Sequence, residues 1–191
     1  NDEFNAFRYT DFCIEQFIES AKKEVYFNNT LFVFVGDHGI KGDAGDMLPR
    51  VFSDNGLTNM HVPLLFYAPS ILKAKTYTTP VSQLDVLPSI ASLTNIAYTN
   101  TTLGRNVFSL VQNSDQNEIF LFDDFANSIG LYSNTHYLGF PIKDDKNFKF
   151  KSTQDNQLVK PDTIAVQMKK QTSLIYETAK YLLTNNKKLT Q

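Results

Sequence analysis

Asp37 and His38 are adjacent and directly follow the apolar run Leu31-Phe32-Val33-Phe34-Val35. A carboxylate is a hard anionic donor and an imidazole a borderline nitrogen donor, a pair suited to Zn or Mn. In open α/β sheets, ligand sites lie at the carboxyl ends of strands, which is where this pair stands. Consecutive residues of a strand point to opposite faces, so sharing one cation requires the chain to turn here. Gly36 and Gly39 flank the pair and leave room for such a turn. The structural alternative is that Asp37 braces the turn and His38 is an exposed polar residue. His61 opens a second apolar run, Val62 to Ala68, and could reach the same sheet edge. Taken alone, beside Met60 and Pro63, it reads rather as a boundary histidine. His136, in Asn134-Thr135-His136-Tyr137, reads as a structural residue of a hairpin turn.

Counting restricts the site. The chain has three histidines and one cysteine. Asp37, His38 and His61 give at most three ligands, whereas tetrahedral sites take four. The fourth must come from another Asp or Glu, from substrate, or from protein outside this chain. No Gly-x-Ser-x-Gly elbow and no Gly-Lys-Ser/Thr phosphate loop is present. Cys13 lies on a predicted helix face with no histidine near it in sequence, which reads as a core thiol. Asn28-Asn29-Thr30 and Asn100-Thr101-Thr102 match the glycosylation sequon, a match that arises easily in an Asn- and Thr-rich chain. Lys41 and Arg50 could meet an anionic substrate, although solvated side chains are the commoner case.

The elements that must hold these residues follow from periodicity. Ile14, Phe17, Ala21 and Val25 fall at helical steps, which predicts a helix from Thr10 to Phe27 capped by Thr10 or Asp11. Leu31–Val35 shows no alternation, and strands apolar on both faces usually lie centrally in parallel sheets. Gly, Pro, Asp and Asn dominate from 39 to 60, which predicts a long irregular loop, functional or mobile and poorly packed. Val62 to Pro69 predicts a second strand, in which Pro63 can sit only near the start or on an edge. Leu84, Leu87, Ile90, Ala91 and Leu93 predict a helix from Ser82, with Asp85 capping the turn that carries Pro88. After Gly104 the pattern becomes a meander, with strands at 119–122, 129–132, 137–140 and 148–151. Pro161-Asp162 opens a last helix with Ile164, Met168, Ile175, Ala179 and Leu182 on one face and Lys187 and Lys188 at its end.

This order predicts an α/β layer beside a smaller antiparallel sheet, with the boundary at 103/104. Length and composition agree with a packed domain: 191 residues, 42% hydrophobic and 20% charged. The net charge of -2 excludes a strongly basic nucleic-acid surface as a property of the whole chain. A single cysteine excludes an intrachain disulfide framework. Leu31–Val35 and Val62–Ala68 are too short to span a bilayer. No start methionine or signal peptide stands at Asn1, and only two central strands are found, so the expectation is a soluble part of something longer.

Four blocks carry a resemblance. Asn29-Thr30-Leu31-Phe32-Val33-Phe34-Val35-Gly36-Asp37-His38-Gly39 resembles the strand and metal-binding turn of the sulfatase family in the alkaline phosphatase superfamily. His61-Val62-Pro63-Leu64-Leu65-Phe66-Tyr67-Ala68-Pro69 is similar to its next block. Ser82-Gln83-Leu84-Asp85-Val86-Leu87-Pro88-Ser89-Ile90 and Leu103-Gly104-Arg105-Asn106-Val107-Phe108 are similar to its following helix and to the lead-in of its C-terminal sheet. Asp-His-Gly followed by His-Val-Pro looks closest to the branch of lipoteichoic acid synthases and phosphoglycerol or phosphoethanolamine transferases. Many arylsulfatases have Asp-Asn at this point.

The resemblance implies the C-terminal part of an alkaline-phosphatase-like α/β sandwich, with residues 1–103 in the catalytic core and 104–191 as a small antiparallel subdomain with a terminal helix. It implies Asp37 and His38 as metal ligands and His61 against the substrate phosphate or a second metal. The cation would be Mn or Zn, with Mg and Ca as further candidates. The family nucleophile, a Thr or a Cys/Ser-derived formylglycine, belongs to an N-terminal half not represented here, and Cys13 lacks the Cys-x-Pro-x-Arg context. The chain alone is therefore expected to be inactive. The function implied first is that of a metal-dependent phosphoglycerol- or phosphoethanolamine-type transferase, which would pass its group through a covalent phospho-enzyme to an acceptor hydroxyl or to water. Its substrate would be an envelope phospholipid or a sulfated or phosphorylated glycan. It would face outward from the membrane or into the periplasm, anchored by an N-terminal region, and no nucleic acid is implied. The alternatives kept are a sulfuric or phosphoric ester hydrolase of the same fold and a non-catalytic binding domain.

Overall fold

The two apolar runs become neighbouring strands. In the computed structural model, which describes residues 2–112, 114 and 117–185, β1 (Phe32–Val35) pairs with β2 (Leu64–Tyr67). The pairing is antiparallel, with Phe32 opposite Tyr67 and Val35 opposite Leu64. The expected parallel neighbourhood is thus corrected: among the described residues these two strands form a two-stranded antiparallel sheet. The continuous apolar pattern reports that both faces call for cover; it does not report the direction of pairing.

The chain groups into two units, one of Asn1–Asp37 with Val62–Lys75, the other of His38–His61 with Thr76–Gln191. The first holds α1 (Asp2–Ala21), β1 and β2. Phe17, Phe27, Phe32 and Tyr67 pack together there, with ring centroids 5.7 to 6.3 Å apart. The helix begins eight residues earlier than the spacing predicts and stops at Ala21. Thr10 is therefore no cap; its Oγ1 donates to the Ala6 carbonyl within the helix. Val25 lies beyond the helix end and is fully exposed. Cys13 is exposed, not core, because its face of α1 has no cover among the described residues.

The second unit contains α2 (Arg50–Asp54), α3 (Val86–Leu93), the meander and α4 (Thr163–Asn185). The meander strands are β3 (Ile119–Asp123), β4 (Ser128–Tyr132), β5 (His136–Pro141) and β6 (Lys149–Ser152), each antiparallel to the next. They match the predicted strands to within one residue at each end. One face buries Ile129, Leu131, Leu138, Phe140 and Phe150 against Ala165 and Met168 of α4. The Asp162 carboxylate caps α4 by accepting from the amides of Ile164 and Ala165. Met168 and Ile175 of the predicted face pack on this core, and only its first residue differs: Ile164 is exposed and Ala165 is buried. Lys187 and Lys188 lie outside the described residues. His136 opens β5 and stacks on Phe150 at 4.9 Å, in keeping with a structural role.

Asp85 precedes α3, but its side chain makes no capping bond to that helix and braces the turn before it instead. Its carboxylate accepts from the Ser82 amide at 3.0 Å, the Arg105 amide at 2.6 Å and the Arg105 guanidinium at 2.9 Å. It is 1% exposed, so α3 is joined to the chain after Gly104 through a buried charge pair. Removing one partner of a buried pair leaves the other charge uncompensated. Asp85→Ala is expected to destabilise the chain by about 3 kcal/mol, the low end for such a pair because Arg105 keeps some solvent contact. Urea unfolding of the two proteins checks this, and a change below about 0.5 kcal/mol would contradict the role given to Asp85.

Candidate functional site

Asp37 and His38 follow the last residue of β1, Val35, with only Gly36 between, and both are exposed. Neither flanking glycine takes a left-handed φ. What they supply is close approach. A Cβ on Gly36 would lie 2.8 Å from the Val62 Cβ, and one on Gly39 would lie 2.2 Å from the Thr58 carbonyl oxygen and 2.9 Å from that of His61. Only glycine permits the Gly39 backbone to lie against 58–61, where its amide donates to the Asn59 carbonyl at 2.7 Å. Tertiary packing thereby brings the backbone beside His38 to the backbone of His61, 23 positions along the sequence.

The His38 Nδ1 lies 2.9 Å from the Gly39 carbonyl oxygen. A carbonyl only accepts, so Nδ1 is the donor in this contact and Nε2 is the nitrogen that could serve as a ligand. A backbone carbonyl on one ring nitrogen is a common way of orienting a ligating imidazole. His61 is exposed, and the ring of Phe52 meets its imidazole edge to face at 5.2 Å. Asp37 closes the first unit and His38 and His61 belong to the second.

The segment between them is not the poorly packed loop expected from its composition. It contains α2 and two short 3-10 turns, and buries Val51, Leu57 and Thr58. The Thr58 hydroxyl donates to the Gly42 carbonyl and accepts from its amide, and the Ser53 hydroxyl accepts from the Ala44 amide. Arg50 is occupied: its guanidinium donates to both oxygens of Asp43 and to Asp54. The Gly45 amide, and then Arg50, hold the Asp43 carboxyl below its usual range. At the far side Asn156, in the left-handed region at φ 59°, donates to Asp54 and accepts from Lys151 and Asn55. The ring of Phe52 meets Tyr132 of β4 at 5.4 Å. A few apolar residues on one side and these polar ties hold the segment to the meander. Pairings across 80 and 101 positions have no signal in local spacing.

Asp37 and His38 present one oxygen and one nitrogen donor, which fits part of a divalent shell and not a closed one. Among the described residues no group of three or more His, Cys, Asp or Glu is placed to hold a metal ion. None of their helices is long and apolar enough to cross a membrane.

Comparison with known proteins bears on the family and the fold. The model of the Sulfatase family matches residues 1–96, just over half of the 191. The chain belongs to the sulfatase family. An ulvan-active sulfatase of Formosa agariphila is 34% identical to this family member over 89 residues, 46% of this chain and 17% of its own length. A solved structure of an alkaline phosphatase superfamily protein from Vibrio parahaemolyticus superposes with a TM-score of 0.73 at 16% identity. It covers 93% of this chain and 41% of the other. The fold is therefore that of the alkaline phosphatase superfamily, as the resemblance implies. This sulfatase-family chain spans less than half the length of either protein.

Proposed function

We propose that the chain is the C-terminal part of the catalytic domain of a metal-dependent enzyme that cleaves a sulfate or phosphate ester. The observation that carries this reading is the Asp37-His38 pair at the end of β1, with the imidazole oriented by the Gly39 carbonyl. In it Asp37 balances the charge of a Mn or Zn ion, His38 binds through Nε2, and His61 steadies the anionic group. When bound, the cation neutralises an ester oxygen and lowers the pKa of a nucleophile. The nucleophile and the remaining ligands come from a preceding half of the same protein. Large apolar side chains left exposed on α1, among them Phe4, Phe7 and Phe12, support a covering partner of that kind.

A second reading, transfer of phosphoglycerol or phosphoethanolamine to an envelope lipid or glycan outside the cytoplasmic membrane, is favoured by Asp37-His38 and His61-Val62-Pro63 standing together. The name of the Formosa relative favours hydrolysis of a sulfated glycan. Assays of the full-length enzyme with 4-nitrophenyl sulfate, 4-nitrophenyl phosphate and a phosphoglycerol lipid separate the two. Release of sulfate supports the hydrolase, and phosphoglycerol appearing on an acceptor supports the transferase. Failure of all three with the metal bound would overturn catalysis in favour of a binding domain.

For the chain by itself the expected result is negative. It should turn over neither aryl ester, and calorimetry with Mn or Zn should show no tight stoichiometric site, because an incomplete shell loses much of the binding free energy. Metal-dependent turnover by the purified chain would overturn the assignment to part of a catalytic domain.

A further inference from the structure

We infer that Phe52 is a positioning residue for the His61 imidazole, and that Tyr132 of the meander is the surface against which Phe52 is held. The inference rests on the reading of His61 as a substrate contact. Phe52 meets His61 at 5.2 Å with the rings 65° apart, and Tyr132 at 5.4 Å and 61°. Both are edge-to-face arrangements, which fix the plane of one ring against the other. Among the described residues no hydrogen bond reaches the His61 ring, so packing by Phe52 is what sets its orientation. Phe52 has little freedom of its own. It sits in α2, whose neighbour Val51 is fully buried, whose Arg50 is tied to Asp43 and Asp54, and whose following Asn55 donates to the Val51 carbonyl at 2.7 Å. Asp54 and Asn55 are bonded in turn to Asn156 beyond β6. Tyr132 is half-buried at the end of β4, opposite Ile119 of β3 and Tyr137 of β5, and so belongs to the most regular part of the chain.

The antiparallel meander thereby acquires a task in the reaction. Through two ring contacts it orients an exposed imidazole that would otherwise sample several rotamers. An orienting contact of this kind acts on rate more than on binding, because a displacement of about 1 Å at a reacting group costs on the order of 100-fold.

The test uses Phe52→Leu, Tyr132→Leu and Phe52→Tyr, with His61→Ala as reference and circular dichroism to confirm folding. In the purified chain, NMR should show the His61 ring protons displaced by ring current, and Phe52→Leu should return them toward their unstructured positions. In the metal-loaded full-length enzyme, assayed with the aryl ester it turns over, Phe52→Leu should lower kcat by roughly 10- to 100-fold with KM and metal content little changed. Tyr132→Leu should move both readouts in the same direction by less, and Phe52→Tyr, which keeps the ring, should restore them. His61 signals unmoved by Phe52→Leu, or full kcat in that variant while His61→Ala is impaired, would overturn the positioning role and leave the reading of His61 standing. Full turnover in His61→Ala would overturn both. If Phe52→Leu does not fold, Tyr132→Leu alone decides by the same two readouts.

Discussion

Asp37→Ala is expected to strip the full-length enzyme of both its metal and its activity. A carboxylate is the one donor of this chain's pair that carries charge, so its loss leaves the cation's charge less balanced and its shell one ligand short. Lewis-acid stabilisation supplies several kcal/mol at the transition state. At 1.36 kcal/mol per factor of ten, its removal is worth about 1000-fold in rate or more. His38→Ala removes a neutral ligand and should lower metal affinity strongly, with partial recovery at high metal concentration. Metal content by elemental analysis, measured on the same preparations as turnover, checks both. If Asp37→Ala keeps its metal and its rate, Asp37 merely braces the turn after β1, the alternative that its place in the sequence also allows.

His61→Ala should separate from these. It is expected to retain the metal and lose roughly 100- to 1000-fold in turnover, the usual cost of one electrostatic donor aimed at developing charge. Gly39 lies against the His61 carbonyl by backbone contact, and deletion of the imidazole leaves that contact in place. The fold around Asp37 and His38 should accordingly survive, and thermal unfolding should shift little. A boundary histidine would behave otherwise, nearly silent in rate. Loss of metal alongside rate, as in Asp37→Ala, would instead make His61 a ligand.

How much of this was legible in the residues varies with the range of the interaction. The meander was readable strand by strand, because Ile129, Leu131, Leu138 and Phe140 alternate with the pleat and β-turn residues punctuate them. The start of α4 was readable from Pro161-Asp162, because capping is local chemistry. The extent of α1 was not: its apolar residues continue upstream of Thr10, and its exposed face carries as many aromatics as a buried one would. The segment 38–61 was misread for the opposite reason. Glycine, proline and aspartate suggest irregularity, yet side-chain bonds such as Thr58 to Gly42 and Asn156 to Asp54 order it from outside its own span.

The sequence by itself determined the strands of the meander, the start of the last helix and the resemblance to the family. The periods of two and 3.6, the caps, the Asp37-His38 pair after an apolar strand and the four ordered blocks are all properties of residues near one another in the chain. Only the tertiary structure decided how those elements meet. It made β1 and β2 antiparallel partners, required glycine at 39 because the backbone of 58–61 passes within van der Waals reach, and set Nδ1 of His38 against the Gly39 carbonyl. It also placed Phe52 between His61 and Tyr132, a contact across 80 positions. The physical reason is that local propensity depends on the few residues of one turn or strand, whereas pairing direction, close approach and ring packing depend on which distant surface arrives.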